Sequence, residues 1–552
     1  VWGPALRIAI LASILAAVAL WLADTLLIAG AENAFFVLAA LALASLYMSL
    51  SDRTCFRGFI QWRGLIWLTA ISLGAGVFRL GMYQFGGWDE GLVVHIATYY
   101  AQGFKPYFDF PCNMPPLFMA GIRSSVWLFG FKWSSVILLT AIFASLTFLW
   151  MFSLLRIISV PRHSALFIAL CAEMSTMLVI PFWWFNNSSS VSVVLLFLSA
   201  LACLQQSLRI FPWVSLSLSL GMVVTCKPND LPICLAVFAL LIVKGSLHRT
   251  RAVCACAGAV AVFLLVCIEA QMPPTELIRS YLEIGRLRGS PFLFLPFRQM
   301  TSLERSTHVW FILLIVVCFA ALLGLTARRR PFPGRLLFIC IVAALTSLEM
   351  TCTNSEIKTS DLAVLLVAIA ILCLRPWETE AVSLGRKSVL MAMLSLFMVV
   401  SGYLSVTSSR IQAIGPGAYY QVGPTNIIEG GFLSGLKTGP HLQRVISDTA
   451  QVLSRWPSER VFFGPRVEFE YAVFNKPVTK GMPLLWDPGN LFSGERLPML
   501  IRTFQQDDPE LLIFLKDDYT RMQIMGSYIR NSDNYKRIDT YGALTVYVRK
   551  TT

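Results

Sequence analysis

Charge is scarce in this sequence. Of 552 residues only 14% are charged, 56% are hydrophobic, and the mean hydropathy is +0.66. A water-soluble domain needs more polar surface than that, which excludes an ordinary soluble chain. Sustained strand alternation is also missing, which argues against a β-barrel. The sequence has no Walker A phosphate loop, no Cys/His spacing of the metal-binding kind and no visible internal repeat. Acidic residues are few, 31 against 45 lysines and arginines, for a net charge of +14. That excess does not point to nucleic acid, because basic loops facing anionic lipid account for much of it.

What the chain has instead is a succession of apolar runs from residue 5 to residue 407. Most are near the roughly 20 residues that cross a hydrocarbon core as a helix. The runs predict spans over 5–29, 34–50, 64–82, 134–155, 164–184, 190–208, 213–228, 231–244, 252–270, 307–326, 336–350, 361–374 and 388–407, about thirteen in all. Short loops rich in arginine and lysine mark the cytoplasmic side. They recur at every second connection: Arg53, Arg57 and Arg63; Arg156 and Arg162; Arg209; Lys244, Arg249 and Arg251; Arg328, Arg329, Arg330 and Arg335; Arg375, Arg386 and Lys387. This places the N-terminus inside and both Asp89 and the C-terminal stretch outside. The first run is too long for a signal core and is read as a retained helix. The apolar stretch Pro116–Gly130 is short and carries Arg123 near its middle, so it is read as an interfacial or re-entrant helix.

The fold expected is an α-helical polytopic membrane protein: a membrane domain over 1–407, then an extracytoplasmic α/β domain over 408–552. Two outside loops stand out, 83–133 and 271–306. Composition shifts near 408, where Gly415-Pro416-Gly417, Gly423-Pro424 and Gly430-Gly431 break any helix. Beyond them, the patterns predict helices over His441–Trp456 and Asp518–Arg530, buried strands over Arg460–Phe463 and Leu511–Leu515, and a strand pair over Tyr535–Arg549. A lid or docking domain is the plainest role for this stretch; Glu468 and Glu470 are its one close acidic pair near a strand end. Most of the thirteen cysteines, such as Cys171, Cys203, Cys254, Cys256 and Cys267, lie inside spans as small apolar residues. Cys112 and Cys352 fall outside, either bonded to each other or as two thiols.

Chemistry concentrates in the first outside loop. Trp88-Asp89-Glu90-Gly91 follows the third apolar run. A helical stretch then leads to Gly103-Phe104-Lys105-Pro106-Tyr107-Phe108-Asp109 and to Pro115-Pro116-Leu117. Asp89 alone is equally read as a helix cap; the carboxylates, prolines and aromatics together suggest a site at the membrane surface. The second outside loop carries Arg279, Arg286, Arg288, Arg298 and Arg305, on the side where positive charge should be rare. Arg279 and Arg286 share one helical face, suited to phosphate; pairing with Glu276, Glu283 and Glu304, or with lipid headgroups, is the competing use. Lys227, at an outside helix end, is either a phosphate ligand or a snorkelling lysine. His95 reads first as a packing residue. Trp183-Trp184 fits an aromatic belt, and Asn354, Glu356 and Lys358 form a short polar loop that suits a cavity wall.

The loop's order of motifs resembles the first outside loop of the GT-C glycosyltransferases. It is most similar to the bacterial branch of protein O-mannosyltransferases and the lipid A aminoarabinose transferase. The resemblance rests on the acidic pair, the G-x-x-P-Y-x-D segment (Gly103 to Asp109) and the Pro115-Pro116-Leu117 turn. It departs from the pattern in the extra-looking hairpin over 5–50 and in Cys112-Asn113-Met114 before the prolines. It implies an enzyme of a bacterial inner membrane, working on the periplasmic face in cell-envelope glycan or lipopolysaccharide assembly. Such an enzyme moves a sugar from a polyprenyl-phosphate carrier to a lipid or glycan acceptor, usually with inversion. Phosphate leaves readily, so the needs are a base for the acceptor hydroxyl and cations for the phosphate. The resemblance assigns Asp89 as base, with Glu90 and Asp109 orienting the acceptor, holding a sugar hydroxyl or binding a divalent ion. Oxygen ligands such as Asp89 and Asp109 would suit Mg²⁺ or Mn²⁺. Arg279, Arg286, Arg288, Lys227 and Lys105 are the donor-phosphate candidates; Trp88, Tyr107, His95, Asn354 and Glu356 are the sugar or acceptor candidates. A protein acceptor, or a sugar-lipid transporter, remains an alternative; a transporter more often has broken helices and repeated halves.

Overall fold

The computed structural model describes residues 62–82, 85, 89–112, 114–157, 184–205, 209–226, 231–243, 249–292, 426–464, 467–484, 497–516 and 534–550, with isolated positions between 162 and 173. The helices are α1 (Trp62–Gly81), α2 (Asp89–Ala101), α3 (Pro116–Phe129), α4 (Trp133–Ile157), α5 (Trp184–Gln205), α6 (Ile210–Cys226), α7 (Leu231–Val243), α8 (Arg249–Glu269) and α9 (Pro274–Phe292). Further on come β1 (Asn426–Ile427), β2 (Lys437–Thr438), α10 (Pro440–Arg455), β3 (Val461–Phe463), α11 (Glu470–Val473), α12 (Leu497–Asp507), β4 (Leu511–Leu515), β5 (Tyr535–Tyr541) and β6 (Leu544–Arg549). The chain gathers into two units: Val1–Leu80, Thr140–Phe263 and Phe292–Ser409 form one, and Gly81–Leu139, Leu264–Pro291 and Arg410–Thr552 form the other.

The first unit is helical because its runs are apolar and a helix satisfies its own backbone, which lipid cannot do. Helices α5 and α6 pack together, with Ser199 and Ser215 hydroxyls 2.6 Å apart. Gly221 of α6 meets Val262 and the Ala259 carbonyl so closely that no Cβ would fit. Gly74 of α1 is likewise closed off by Ser145, whose hydroxyl donates to the Ala70 carbonyl at 2.8 Å. Small residues at close helix contacts are what helix packing in lipid favours. Among the described residues, α4 and α8 are the two helices long and apolar enough to cross a membrane; α6 is a shorter apolar helix. Helices α1, α4, α5, α6, α7 and α8 stand where six of the expected spans were read. The expected spans 5–29, 34–50, 307–326, 336–350, 361–374 and 388–407 lie outside the described residues, and 164–184 is described only at isolated positions, so the expected count of about thirteen rests on sequence alone.

The second unit draws on three stretches of chain. Its sheet has the order β3-β4-β6-β5, with β3 parallel to β4 and the other pairs antiparallel. The register pairs Leu512 with Tyr547 and Ile513 with Val546. The strands expected at Arg460–Phe463, Leu511–Leu515 and Tyr535–Arg549 are all present, and α10 stands where a helix was read. Strand β4 is buried along its whole length, as its unbroken apolar run requires. Phe462, Met482, Leu500, Phe504, Leu512 and Phe514 form the core beneath the sheet. The helix expected at Asp518–Arg530 lies outside the described residues; α12, which was not anticipated, packs Leu500 and Phe504 inward.

Helix α3 starts on Pro116, where a missing N–H costs nothing, and stops at Gly130, whose φ of +88° suits glycine. Its 14 residues rise about 21 Å, short of the roughly 30 Å hydrocarbon core. Its Arg123 pairs with Glu269 at 2.8 Å, so the charge in the middle of this apolar stretch is compensated.

Candidate functional site

Helix α2 opens on Asp89-Glu90, at the positive end of its helix dipole. Although it belongs to a loop between apolar helices, the described side chains from Glu90 to Tyr99 are buried. Three polar side chains of the helix and its end, His95, Tyr99 and Gln102, are bound by main chain of the segment 476–484. The His95 Nδ1–H donates to the Leu484 carbonyl at 2.8 Å, leaving Nε2 as the unprotonated nitrogen. The Tyr99 hydroxyl donates toward the Met482 carbonyl at 3.2 Å and the Thr479 carbonyl at 3.4 Å. Gln102 Nε2 donates to the Lys476 carbonyl and Gln102 Oε1 accepts from the Val478 N–H, each at 2.9 Å. Tyr100 ties the same helix to the Ala270 carbonyl at 2.7 Å. This main-chain clasp fixes the helix that carries Asp89 and Glu90.

The next turn, Lys105 to Asp109, reverses through Tyr107, which has φ +68°, a conformation rare for a bulky side chain. Such outliers persist only where the surroundings hold them. Here the Tyr107 N–H donates to the Phe110 carbonyl and the Asp109 N–H to the Lys105 carbonyl, both at 2.9 Å. Asp109 has both carboxylate oxygens engaged: Oδ2 accepts the Lys105 N–H at 2.8 Å and Oδ1 lies 2.7 Å from Lys480 Nζ. The hydrogen bond from Lys480, then that from Lys105, hold its carboxyl below the usual range. The Asp109 carbonyl accepts from the Gly481 N–H, so the clasp segment reaches this turn too.

A small cavity, with room for about one water, lies against His95 and is lined by Tyr99, Phe463, Glu468, Tyr471 and Thr479 among others. His95 Nε2 is buried there with no hydrogen-bond partner among the described residues. Burial lowers its pKa to about 4, so the ring is neutral. A sugar ring would not fit in this space. Of the acidic pair read near a strand end, Glu468 lines this cavity, while Glu470 is buried and both its oxygens lie 2.8 Å from the Thr449 hydroxyl. Burial pushes the Glu470 pKa up.

Glu90, His95, Lys105, Tyr107 and Asp109 all belong to the second unit, with Asp89 as the first residue of α2. Glu90 is fully buried. Tyr107 is half-buried, its phenol pKa raised by burial first and by Cys112 second. Cys112 is a buried thiol, pushed up to about 12 by burial. Arg279 sits on α9 with 78% of its side chain exposed, 4.0 Å from Glu276. Arg286 and Arg288 follow on the same helix. Trp88, Lys227, Asn354, Glu356, Cys352, Arg298 and Arg305 lie outside the described residues. Among the described residues no group of three or more His, Cys, Asp or Glu side chains is placed to hold a metal ion. With one oxygen on the Lys480 ammonium and the other on the Lys105 backbone N–H, Asp109 is no ready ligand for one in this arrangement. Sequence reading missed Lys480, whose partner lies hundreds of residues earlier; Gly481 beside it, at φ +86°, was the available turn signal.

No model of a known protein family and no curated protein matches the chain. Solved structures that resemble it include the following two. One is ArnT from Cupriavidus metallidurans bound to undecaprenyl phosphate, with a TM-score of 0.49 and 14% identity over 88% of this chain and 97% of that one. The other is the archaeal oligosaccharyltransferase AglB from Archaeoglobus fulgidus in complex with an inhibitory peptide and a dolichol-phosphate, with a TM-score of 0.42 and 13% identity over 94% of this chain and 74% of that one.

Proposed function

We propose that this protein is a membrane glycosyltransferase that moves a monosaccharide from a polyprenyl-phosphate donor to a lipid or glycan acceptor on the periplasmic face of a bacterial inner membrane. The observation that carries the reading is the clasped α2 helix. A base must be held in a defined place to act, and rigid, buried elements place side chains better than mobile loops do. A surface loop with no such task would have little reason to bury nearly the whole of a helix that begins with two carboxylates.

In the proposed step the acceptor hydroxyl oxygen attacks the anomeric carbon from the face opposite the phosphate. Asp89 takes the hydroxyl proton as the new C–O bond forms. The bond to the phosphate oxygen breaks, and its electron pair leaves with the polyprenyl phosphate. The anomeric configuration inverts. Asp109 serves as an orienting group rather than a base, since an ionised carboxylate bound by an ammonium and a backbone N–H has little affinity for a proton. Arg279, with Arg286 and Arg288 further along α9 and with Lys105, supplies the positive charge that receives the leaving phosphate. His95 ties α2 to the Leu484 carbonyl, while Tyr107, two residues before Asp109, is the sugar or acceptor contact.

The test follows release of free polyprenyl phosphate by purified protein given a panel of polyprenyl-phosphate monosaccharides and a crude membrane acceptor fraction. Asp89→Asn is expected to lower turnover by about 10²- to 10⁴-fold with folding intact. Turnover that survives the substitution would move the base elsewhere. No release from any donor would turn the reading toward a sugar-lipid transporter.

A further inference from the structure

The C-terminal stretch was expected to serve as a lid or docking domain, yet one of its side chains reaches into the acidic loop. We propose that Lys480 is a positioning residue for the transfer step, holding the Asp109 carboxylate aimed, so that the C-terminal stretch completes the site rather than covering it. This rests on the transferase reading for its catalytic purpose.

Three observations support it. The ammonium of Lys480 lies 2.7 Å from Asp109 Oδ1, while the second oxygen is held by the Lys105 N–H. The carboxylate plane is therefore fixed from two sides. Next, the backbone beside the pair is joined as well, since the Gly481 N–H donates to the Asp109 carbonyl. The lysine thus sits on a turn already docked to the loop, and its reach is short. Finally, the lysine side chain is 68% exposed and the aspartate 16%. An ion pair so open to water adds little to stability, which leaves placement as its more consequential effect. The charged groups that face Asp109 are Lys480 from the clasp and Lys105 from its own turn. With Lys480 removed, Lys105 alone remains, and the carboxylate is free to rotate and to take a proton at higher pH.

Two arms test the proposal, both on the full chain, with thermal midpoints confirming folding. The first needs no activity: an amine-reactive acylating reagent is applied, and modification of Lys480 is read by mass spectrometry. Labelling is expected to rise several-fold in Asp109→Asn; equal labelling would overturn the pair. The second arm measures turnover against pH. Lys480→Met is expected to lower kcat/KM by up to about 10²-fold and to move the acid limb of the profile to higher pH, with Lys480→Arg restoring both. In an Asp109→Asn background, Lys480→Met should add little. An equal penalty in both backgrounds, or a Met variant that matches the unsubstituted protein, would overturn the role. If the unsubstituted protein releases nothing from any donor while the labelling difference holds, the pair stands and the transferase reading fails, and the catalytic role of Lys480 fails with it.

Discussion

Helices α2 and α9 both come from long connections between apolar runs and both belong to the second unit, but they are built in opposite ways. Helix α2 is buried nearly all round, and its His95, Tyr99 and Gln102 are spent on carbonyls of the clasp. Helix α9 shows Ile278 and Leu282 to the outside at 55% and 62% exposure, with Arg279 beside them. The acidic groups of the proposed site thus stand on a fixed base, while the cations ride on an open amphipathic helix. A proton acceptor gains from being held within a fraction of an ångström. A guanidinium that gathers a phosphate on a long lipid gains from reach instead.

The comparison breaks most visibly at Tyr99. Tyr99→Ala removes a fully buried ring packed 4.3 Å from Phe110 and strips the clasp of its central donor. The expected loss is about 3–5 kcal/mol, read as a lowered denaturation midpoint. Ile278→Ala on α9 should change that midpoint hardly at all; equal losses would erase the distinction between the helices.

His95 sharpens the contrast through pH. Its folded pKa, about 4, lies below the unfolded value of 6.5, so the unfolded chain binds the extra proton. The stabilisation is complete above the unfolded pKa and is lost as pH falls toward the folded one. Between pH 6.5 and pH 4 the loss should reach on the order of 3 kcal/mol. Thermal midpoints followed across that window should fall more steeply for the unsubstituted protein than for His95→Asn; parallel curves would remove the buried imidazole as their cause.

Smaller effects are expected from Arg123. Its pair with Glu269 is partly exposed, at 33% and 45%. Arg123→Gln should cost about 1 kcal/mol or less, seen as a small shift in midpoint. The smallest effect on stability belongs to Arg279→Ala, expected within about 0.5 kcal/mol. Its influence should show instead as a raised KM for the polyprenyl-phosphate donor. A fall in stability with unchanged KM would make α9 a structural element like α2.

Much of the helical part was legible because long apolar runs are local signals, and α4 and α8 lie within a few residues of their expected bounds. Strand β4 was legible for the same reason, an unbroken apolar run after Asp507-Asp508-Pro509. The acidic loop could be found from its motif order alone. The clasp could not. Val478 and Gln102 are 376 positions apart, and the groups that the clasp contributes to α2 are backbone groups, which every sequence possesses. Helix α2 also gives little periodic signal, since burial on all sides leaves no polar face to read. Lys480 was hidden for a related reason: an exposed lysine looks alike in sequence whether it faces water or a carboxylate.

That clasp has a consequence for how such a protein can diversify. Because α2 is gripped by carbonyls and amides, the bonds that hold it are indifferent to which side chains the 476–484 segment carries, provided its path is kept. Specificity could be bred on that segment by exchanging side chains such as Lys476, which points its ammonium to the Ser458 carbonyl and Glu459. The helix bearing the acidic pair would stay in place throughout, provided the buried Val478, Met482 and Leu484, the lysine at 480 and the glycine at 481 were kept.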